Sequence, residues 1–374
     1  MANAARTPIN EATFLAKAFA SALHPTRIIP FYYRSTGLVE DDDVTITTLV
    51  TANRFKVFKE LVERYQGPIS VTVHIPFPAD ASLASLPLTH PSVTALNRLH
   101  TLYTSSPFFS KYVDVHLALS PQFNVWRNTA RLFARTEFVM MLDVDFAVCT
   151  DWRQALVREL KEGRAALVVP AFEYANLEDG MDQRKFPRDK ESLVQLTRAS
   201  PPSLTSFHAA WAPGHNSTDY PQYYSIPPSS GEVYRVTQYQ SAYEPYVIMS
   251  KRIDLAVGND RCDERFTGYG ANKAACLFEM YLSGVSFYVL ADHFLIHQSH
   301  TYEEEARREE RKYNRKLYSD FKEEACLRYL DRYTREGTLH TPRASNVREE
   351  CKKIKNVARF AAPVSTVLYN QHLG

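Results

Sequence analysis

Two carboxylates, Asp143 and Asp145, close an apolar segment that begins at Phe138. The run Phe-Val-Met-Met-Leu is typical of a buried parallel strand, so both acids are expected at its carboxyl end, where open α/β sheets bind their ligands. Two carboxylates one residue apart can bind a hard divalent cation, which neutralises a nucleotide diphosphate and makes it a better leaving group. The spacing therefore predicts metal-dependent group transfer.

The acid pair taken alone has other interpretations. Solvated acids also end ordinary strands, so an Asp-x-Asp pattern is a weak signal without support from the rest of the chain. A phosphatase of the haloacid dehalogenase type also starts from a strand that ends in Asp-x-Asp. That class expects Thr or Val two residues after the second acid, where this chain has Ala147. A metal-dependent phosphatase is therefore the less favoured alternative.

Three further clusters could share a site with the acid pair. Asn124, Arg127 and Asn128 stand at the start of a predicted helix, where they can bind phosphate or a nucleobase edge. The segment 260–270 places carboxylates beside a Gly-x-Gly loop, and a carboxylate there is a candidate general base. His297 follows an apolar strand and could complete a metal site that already holds two carboxylates.

The candidate residues lie within a chain that alternates between strand and helix patterns. This alternation predicts an α/β fold whose central sheet is twisted, mostly parallel and covered by helices on both faces. Strands are expected at 44–51, 69–75, 113–118, 165–170, 246–249 and 286–291, and helices at 54–65, 125–134, 152–162, 273–283 and 303–332. The intervening segment 171–235 is rich in Pro, Ser, Asn and Asp, and is expected to be irregular and to help shape the acceptor side.

The domain organisation follows from these patterns. Residues 1–42 are expected to be a lead-in, 43–330 the main α/β domain, and 331–374 a helix or arm with a tail. The main domain is expected to consist of two halves, 43–150 and 151–330.

Composition excludes several classes of protein. The 374 residues carry 44 Lys and Arg against 42 Asp and Glu, so no basic field argues for nucleic acid. The sequence contains no stretch of about 20 apolar residues, so no membrane span is predicted. Residues 11–23 are expected to form a short amphipathic helix. The five cysteines form no Cys-x-x-Cys pair, which argues against a zinc site, and their odd number leaves at least one thiol free.

Taken in order along the chain, the motifs resemble glycosyltransferase family 49. The resemblance covers roughly residues 43–330 and is carried by 67–70, 124–128, Leu142-Asp143-Val144-Asp145-Phe146, Glu244-Pro245-Tyr246, 263–273 and Ile296-His297. An ordered set of this many motifs is far more specific than any one member.

The resemblance implies a GT-A fold, a UDP-sugar donor with glucuronic acid as the expected sugar, Mn²⁺ with Mg²⁺ as the alternative, and inversion at the anomeric carbon. It also implies that 43–330 is the catalytic domain, with 43–150 as the nucleotide-sugar-binding half and 151–330 as the acceptor half. It assigns the metal to Asp143, Asp145 and His297, with His300 as a less certain ligand. The donor is assigned to Asn124, Arg127, Asn128 and Asp143, with Glu244 positioning the donor sugar and Lys273 also at the donor site.

An inverting transferase needs one carboxylate to accept the proton of the attacking hydroxyl. Asp263 is the first candidate, Glu264 the second and Glu244 the third. The carboxylate of a uronate donor also needs a cationic partner, for which Arg265 and Lys273 both remain open.

The resemblance also bears on partners and compartment. The expected acceptor is a glycan or glycoconjugate, and the family implies the Golgi lumen. Family members of the secretory pathway carry an N-terminal anchor, and none is visible before residue 43, so a soluble cytoplasmic relative is the alternative. A catalytically silent carbohydrate-binding protein of the same fold is the competing function. The joint presence of the acids, the histidine and a base candidate favours activity.

Overall fold

The computed structural model describes residues 27–78, 86–119, 121–153, 160, 164–251, 261–301 and 304–358. The predicted helix at 11–23 lies outside the described residues, as do most of the helix predicted at 152–162 and the tail beyond 358. The strands are β1 (Ile28–Tyr33), β2 (Val44–Thr51), β3 (Ile69–His74), β4 (Val113–Ala118), β5 (Phe138–Met141), β6 (Phe146–Val148), β7 (Ala165–Val169), β8 (Ala171–Tyr174), β9 (Leu204–Ser206), β10 (Val233–Arg235), β11 (Tyr246–Ser250), β12 (Ser286–Leu290) and β13 (Leu295–His297).

The helices connect and cover these strands. They are α1 (Phe55–Tyr65), α2 (Pro91–Thr104), α3 (Pro107–Tyr112), α4 (Phe123–Phe133), α5 (Lys190–Arg198), α6 (Tyr220–Ser225), α7 (Asn272–Leu282), α8 (Glu304–Arg335) and α9 (Ser345–Cys351). The predicted α/β class is therefore confirmed. Within the segment 171–235, the expectation of irregular structure is wrong in part, because β8, β9, β10, α5 and α6 all lie there.

In the described residues, the central sheet has nine strands in the order β1-β4-β3-β2-β5-β11-β7-β12-β10. The strands β4, β3, β2 and β5 run parallel, as expected for β-α-β units whose strands are buried on both faces. Beyond β5 the sheet becomes mixed, because β11 pairs antiparallel with both β5 and β7.

Apolar side chains on the two faces of the sheet form the core. Helix α1 shows why the helices dock, since its buried residues Phe55, Phe58, Leu61, Val62 and Tyr65 recur every three or four positions on one face. Helix α7 is buried along its whole length and packs against α8, so it is an internal element of the site.

Two disulfides secure the second half of the chain. Cys262 bonds to Cys276, Cys326 bonds to Cys351, and Cys149 is a buried free thiol. The expectation of at least one free thiol is thus confirmed. The Cys326–Cys351 bond connects α9 to α8. Helix α8 runs across residue 330, where the sequence placed a domain boundary, and that boundary stays a prediction.

A second, four-stranded sheet in the order β6-β13-β8-β9 lies next to the acid pair. Strand β6 starts directly after Asp145 and pairs antiparallel with β13, with Phe146 opposite His297. The backbone N–H of Gln298 donates to the carbonyl of Asp145 at 2.7 Å. This short ladder brings two sequence-distant segments together at one end of the molecule.

Candidate active site

Asp145, His297 and His300 form a cluster that could hold a metal ion. One ligand atom from each lies within 4.8 Å of the others. The Asp145 Oδ2 atom is 3.0 Å from Nε2 of His300 and 3.7 Å from Nε2 of His297. The β6–β13 ladder produces this arrangement, because it fixes Asp145 beside the residues that follow β13. His300, the less certain ligand by sequence, is part of the cluster.

The ligand types fit a transition-metal ion. Imidazole nitrogens suit transition metals, whereas Mg²⁺ prefers oxygen ligands and water, so one carboxylate with two imidazoles fits Mn²⁺ better than Mg²⁺. Burial opposes ionisation of Asp145, yet its hydrogen bonds with His297 and His300 outweigh burial and hold the pKa of this carboxyl far below its usual value. Asp145 is therefore a carboxylate, as a metal ligand must be.

Asp143 lies two residues earlier but is surrounded by donors. Its carboxylate accepts hydrogen bonds from Lys273 at 3.1 Å, from the Tyr246 hydroxyl at 3.0 Å and from Arg127 at 3.4 Å. Burial would raise the pKa of Asp143, but the nearby charges of Lys273 and Arg127 lower it overall. These contacts place two cations beside the metal cluster. The direct role of Asp143 as a metal ligand stays a prediction.

Lys273 occupies a buried position that its neighbours explain. It stands in the first turn of α7, with a side chain only 5% exposed, and its ammonium lies 3.8 Å from the centre of the Tyr246 ring. A buried ammonium requires such partners, and the carboxylate of Asp143 together with the face of the Tyr246 ring supplies them.

Asn124 and Asn128, one turn apart on α4, both bind the 262–264 loop. The Asn124 amide donates to the Asp263 carbonyl at 2.8 Å. The Asn128 amide donates to the Cys262 carbonyl and to Glu264 Oε1, both at 2.9 Å, and accepts the Cys262 N–H at 2.8 Å. These contacts make both asparagines positioning residues for the loop. Their predicted contacts with the donor nucleotide stay predictions.

The three base candidates have different surroundings. Both carboxylate oxygens of Asp263 are taken by Arg265, whose guanidinium also pairs with Glu324 at 2.8 Å. Burial raises the pKa of Glu264, against the hydrogen bond from Asn128.

Glu244 interacts electrostatically with the charges around Asp143. Burial raises the pKa of Glu244, the charge of Asp143 raises it further, and the charges of Lys273 and Arg127 oppose this rise.

Several residues at the site had no role assigned from sequence. Tyr246 lay within the motif Glu244-Pro245-Tyr246, at the start of the predicted strand, and that motif was the available signal. The guanidinium of Arg54 lies against the His300 ring, with Nη2 3.0 Å from Nδ1, although nothing in the local sequence singles it out. Glu173 pairs with His297 in the β8–β13 ladder and accepts the backbone N–H of His208 at 2.8 Å.

Aromatic residues form one wall of the site. The Phe207 ring is 5.1 Å from the His297 ring and stacks on His208 at 4.0 Å, and His215 lies 6.4 Å from Tyr246. Burial, together with the charges of His297 and Lys273, lowers the pKa of His208 to about 4, so this imidazole is neutral at pH 7.

The candidate metal cluster and the cations beside Asp143 follow the carboxyl end of β5, and comparison with known families defines the class of protein. The family described as "Glycosyl-transferase for dystroglycan" matches residues 43–123 and 118–330. The chain belongs to this glycosyltransferase family, which confirms the resemblance inferred from the motifs.

Two curated relatives carry related names. The chain is 29% identical over 267 residues to rat "Xylosyl- and glucuronyltransferase LARGE2", covering 69% of this chain and 34% of the relative. It is 23% identical over 288 residues to human "Xylosyl- and glucuronyltransferase LARGE1", covering 74% and 34%. The chain thus spans about a third of the length of these relatives.

Two solved structures are similar at low identity. GalNAc-T7 with UDP, GalNAc and Mn²⁺ has a TM-score of 0.40 and 12% identity, over 70% of this chain and 44% of that one. Residues 1–349 of TarS from S. aureus have a TM-score of 0.41 and 12% identity, over 87% and 76%.

Proposed function

We propose that the protein is an inverting, metal-dependent glycosyltransferase with a GT-A fold, which moves a sugar from a UDP-linked donor to a glycan hydroxyl. The observation that carries the proposal is the Asp145–His297–His300 cluster beside the two cations that contact Asp143. Glucuronic acid is the proposed donor sugar, in keeping with the names of the LARGE relatives.

The charges of the site suit a leaving diphosphate. Mn²⁺ bound at Asp145, His297 and His300 would neutralise the pyrophosphate and so make UDP a better leaving group. Arg127 and Lys273 add two fixed positive charges on the neighbouring side, where they bind and orient the phosphate oxygens. Because these cations are already held by Asp143 and Tyr246, little reorganisation is needed when the donor binds.

The displacement needs a proton acceptor on the acceptor side. The acceptor oxygen attacks the anomeric carbon, the bond from that carbon to the UDP oxygen breaks, and the hydroxyl proton passes to a carboxylate. Of the three candidates we rank Glu244 first, because burial raises its pKa and because its carboxylate interacts electrostatically with Lys273 and Asp143. Asp263, the first candidate by sequence, is engaged by Arg265.

A luminal compartment is part of the proposal. Disulfides persist in the oxidising secretory pathway and are rare in the cytosol, so two disulfides support the Golgi lumen over the cytoplasm. Across the described residues, none of the helices combines the length and apolar character that crossing a bilayer requires.

The test is Mn²⁺-dependent UDP release from UDP-glucuronic acid and UDP-xylose. Asp145→Asn should abolish release while the thermal unfolding curve keeps its shape. The control Asp331→Asn, at an exposed acid of α8 that pairs with Arg335, should leave release unchanged.

The outcomes separate the alternatives. Wild-type protein that neither releases UDP nor binds it with Mn²⁺ would refute the proposed function and favour a silent carbohydrate-binding protein. Hydrolysis of small phosphoesters in place of UDP release would favour a phosphatase.

A further inference from the structure

An exposed indole stands beside the candidate active site. The chain has three tryptophans, of which Trp126 is 3% exposed and Trp152 is fully buried, whereas Trp211 is 50% exposed. Single exposed apolar side chains are common on protein surfaces, so the surroundings of Trp211 decide whether its exposure has a function.

The turn that carries Trp211 holds the indole in place. The backbone N–H of Trp211 donates to the His208 carbonyl at 2.8 Å, and the backbone N–H of Gly214 donates to the Trp211 carbonyl at 3.1 Å. The ring lies on Gly214, where a Cβ atom would come within 2.7 Å of indole carbons Cε3 and Cζ3. Only glycine admits this contact. One part of the ring is therefore packed on backbone while the rest faces solvent.

Two connections place this turn at the site. The Gly214 carbonyl accepts the backbone N–H of Glu244 at 2.9 Å, which joins the turn to the candidate base. At the start of the turn, Phe207 packs on the ring of His297, with centroids 5.1 Å apart. The turn that carries Trp211 is thus in contact with His297 of the candidate metal cluster and with the backbone of Glu244, the residue ranked first as proton acceptor.

We propose that the exposed face of Trp211 is an acceptor subsite that binds a pyranose ring of the glycan by stacking. One face of a pyranose presents C–H groups while its rim presents hydroxyls, which matches a rigid aromatic surface with polar neighbours. The subsite lies on the turn whose Gly214 carbonyl is hydrogen-bonded to Glu244, so a bound sugar would present its hydroxyl to the proton acceptor. The proposal rests on the proposed function for its role, but not for its binding test.

The binding test uses tryptophan fluorescence. Because the other two tryptophans are buried, acrylamide should quench mainly Trp211. Methyl β-D-xylopyranoside, methyl β-D-glucuronide and methyl N-acetyl-β-D-glucosaminide are titrated into wild-type protein saturated with UDP and Mn²⁺. At least one glycoside should protect the accessible emission from quenching, and the protection should be absent from Trp211→Ala.

The kinetic test separates acceptor binding from donor chemistry. Trp211→Ala should raise the acceptor KM about five- to tenfold, as expected for losing coverage of half an indole, with UDP release in the absence of acceptor unchanged. Trp211→Phe should restore part of the affinity. Tyr32→Ala, at a 37% exposed aromatic on β1, is the matched control and should change neither quantity.

Each result is decisive for one proposal. If UDP release is normal and no glycoside protects Trp211, the subsite is overturned while the proposed function stands. If UDP alone protects Trp211 fully, the indole belongs to the donor site and the subsite is also overturned. If glycosides protect Trp211 but no UDP is released, binding is supported and the proposed function fails.

Discussion

Opening the Cys262–Cys276 disulfide should weaken UDP binding, whereas opening Cys326–Cys351 should not. Cys262 makes two backbone hydrogen bonds with Asn128 and directly precedes the loop with Asp263. Cys276 lies on α7, three residues after Lys273. The first disulfide therefore joins the loop to the helix that supplies a cation to the site, while the second joins α8 to α9, neither of which supplies a candidate site residue.

The two disulfides should contribute similarly to stability. Their sequence separations are 14 and 25 residues. Loop-closure entropy then gives about 3 kcal/mol for the first and about 3.5 kcal/mol for the second. The Cys326–Cys351 pair is thus a control that matches the loss of stability without touching the site.

The comparison uses two double variants, Cys262→Ala with Cys276→Ala, and Cys326→Ala with Cys351→Ala. Denaturant unfolding should show a loss of about 3 kcal/mol in each. Under conditions where both remain folded, the first should bind UDP with Mn²⁺ about ten- to a hundredfold more weakly, the usual cost of removing support behind a metal site. Equal UDP affinities in the two variants would show that the first disulfide does not position the site.

Three other changes test the surrounding charges and packing. Lys273→Met should weaken UDP binding about ten- to a hundredfold by removing a charge-assisted contact, which calorimetry measures, and Lys273→Arg should lose less. Arg54→Gln should weaken UDP binding about tenfold because a cation beside His300 is lost, while the exposed control Arg235→Gln should not. Burial lowers the pKa of His116 to about 3, so the unfolded chain binds the proton first as pH falls below about 6.5. The free energy of unfolding should then drop by about 2 kcal/mol between pH 7 and pH 5 on account of this residue, and urea unfolding of His116→Gln should show that much less pH dependence.

The sequence was most informative where a local pattern marks the end of a strand. The apolar run before Asp143 and the one before His297 both end in functional side chains, because strand periodicity and the position of the first polar residue are local properties. The start of α4 was located for the same reason, since its polar residues follow a strand and a short turn.

Long-range pairing could not be predicted from the same patterns. The β6–β13 register, which brings His300 to Asp145, depends on contacts between residues about 150 positions apart. Arg54 reaches His300 across 246 positions, and no local signal distinguishes it from other exposed arginines. Disulfide partners are equally unreadable, because four paired cysteines allow three connectivities.

The segment 171–235 shows a different limitation. Its prolines and polar residues suggested irregular structure, yet Asp189 caps helix α5 and Lys190 donates to the carbonyl of Ile226 inside the fold. Tertiary contacts there override a composition typical of loops.

The antiparallel strand β11 has a consequence for any attempt to divide the molecule. It enters the central sheet between β5, from the first half, and β7, from the second, so the halves share one continuous hydrogen-bonded ladder. A cut near residue 150 would leave β5, residues 138–141, without its β11 partner in the amino-terminal fragment. The unpaired backbone groups of this apolar edge strand would favour association with other chains. The segments 43–150 and 151–330 therefore cannot be exchanged separately, and chimaeras with relatives need junctions outside the whole sheet.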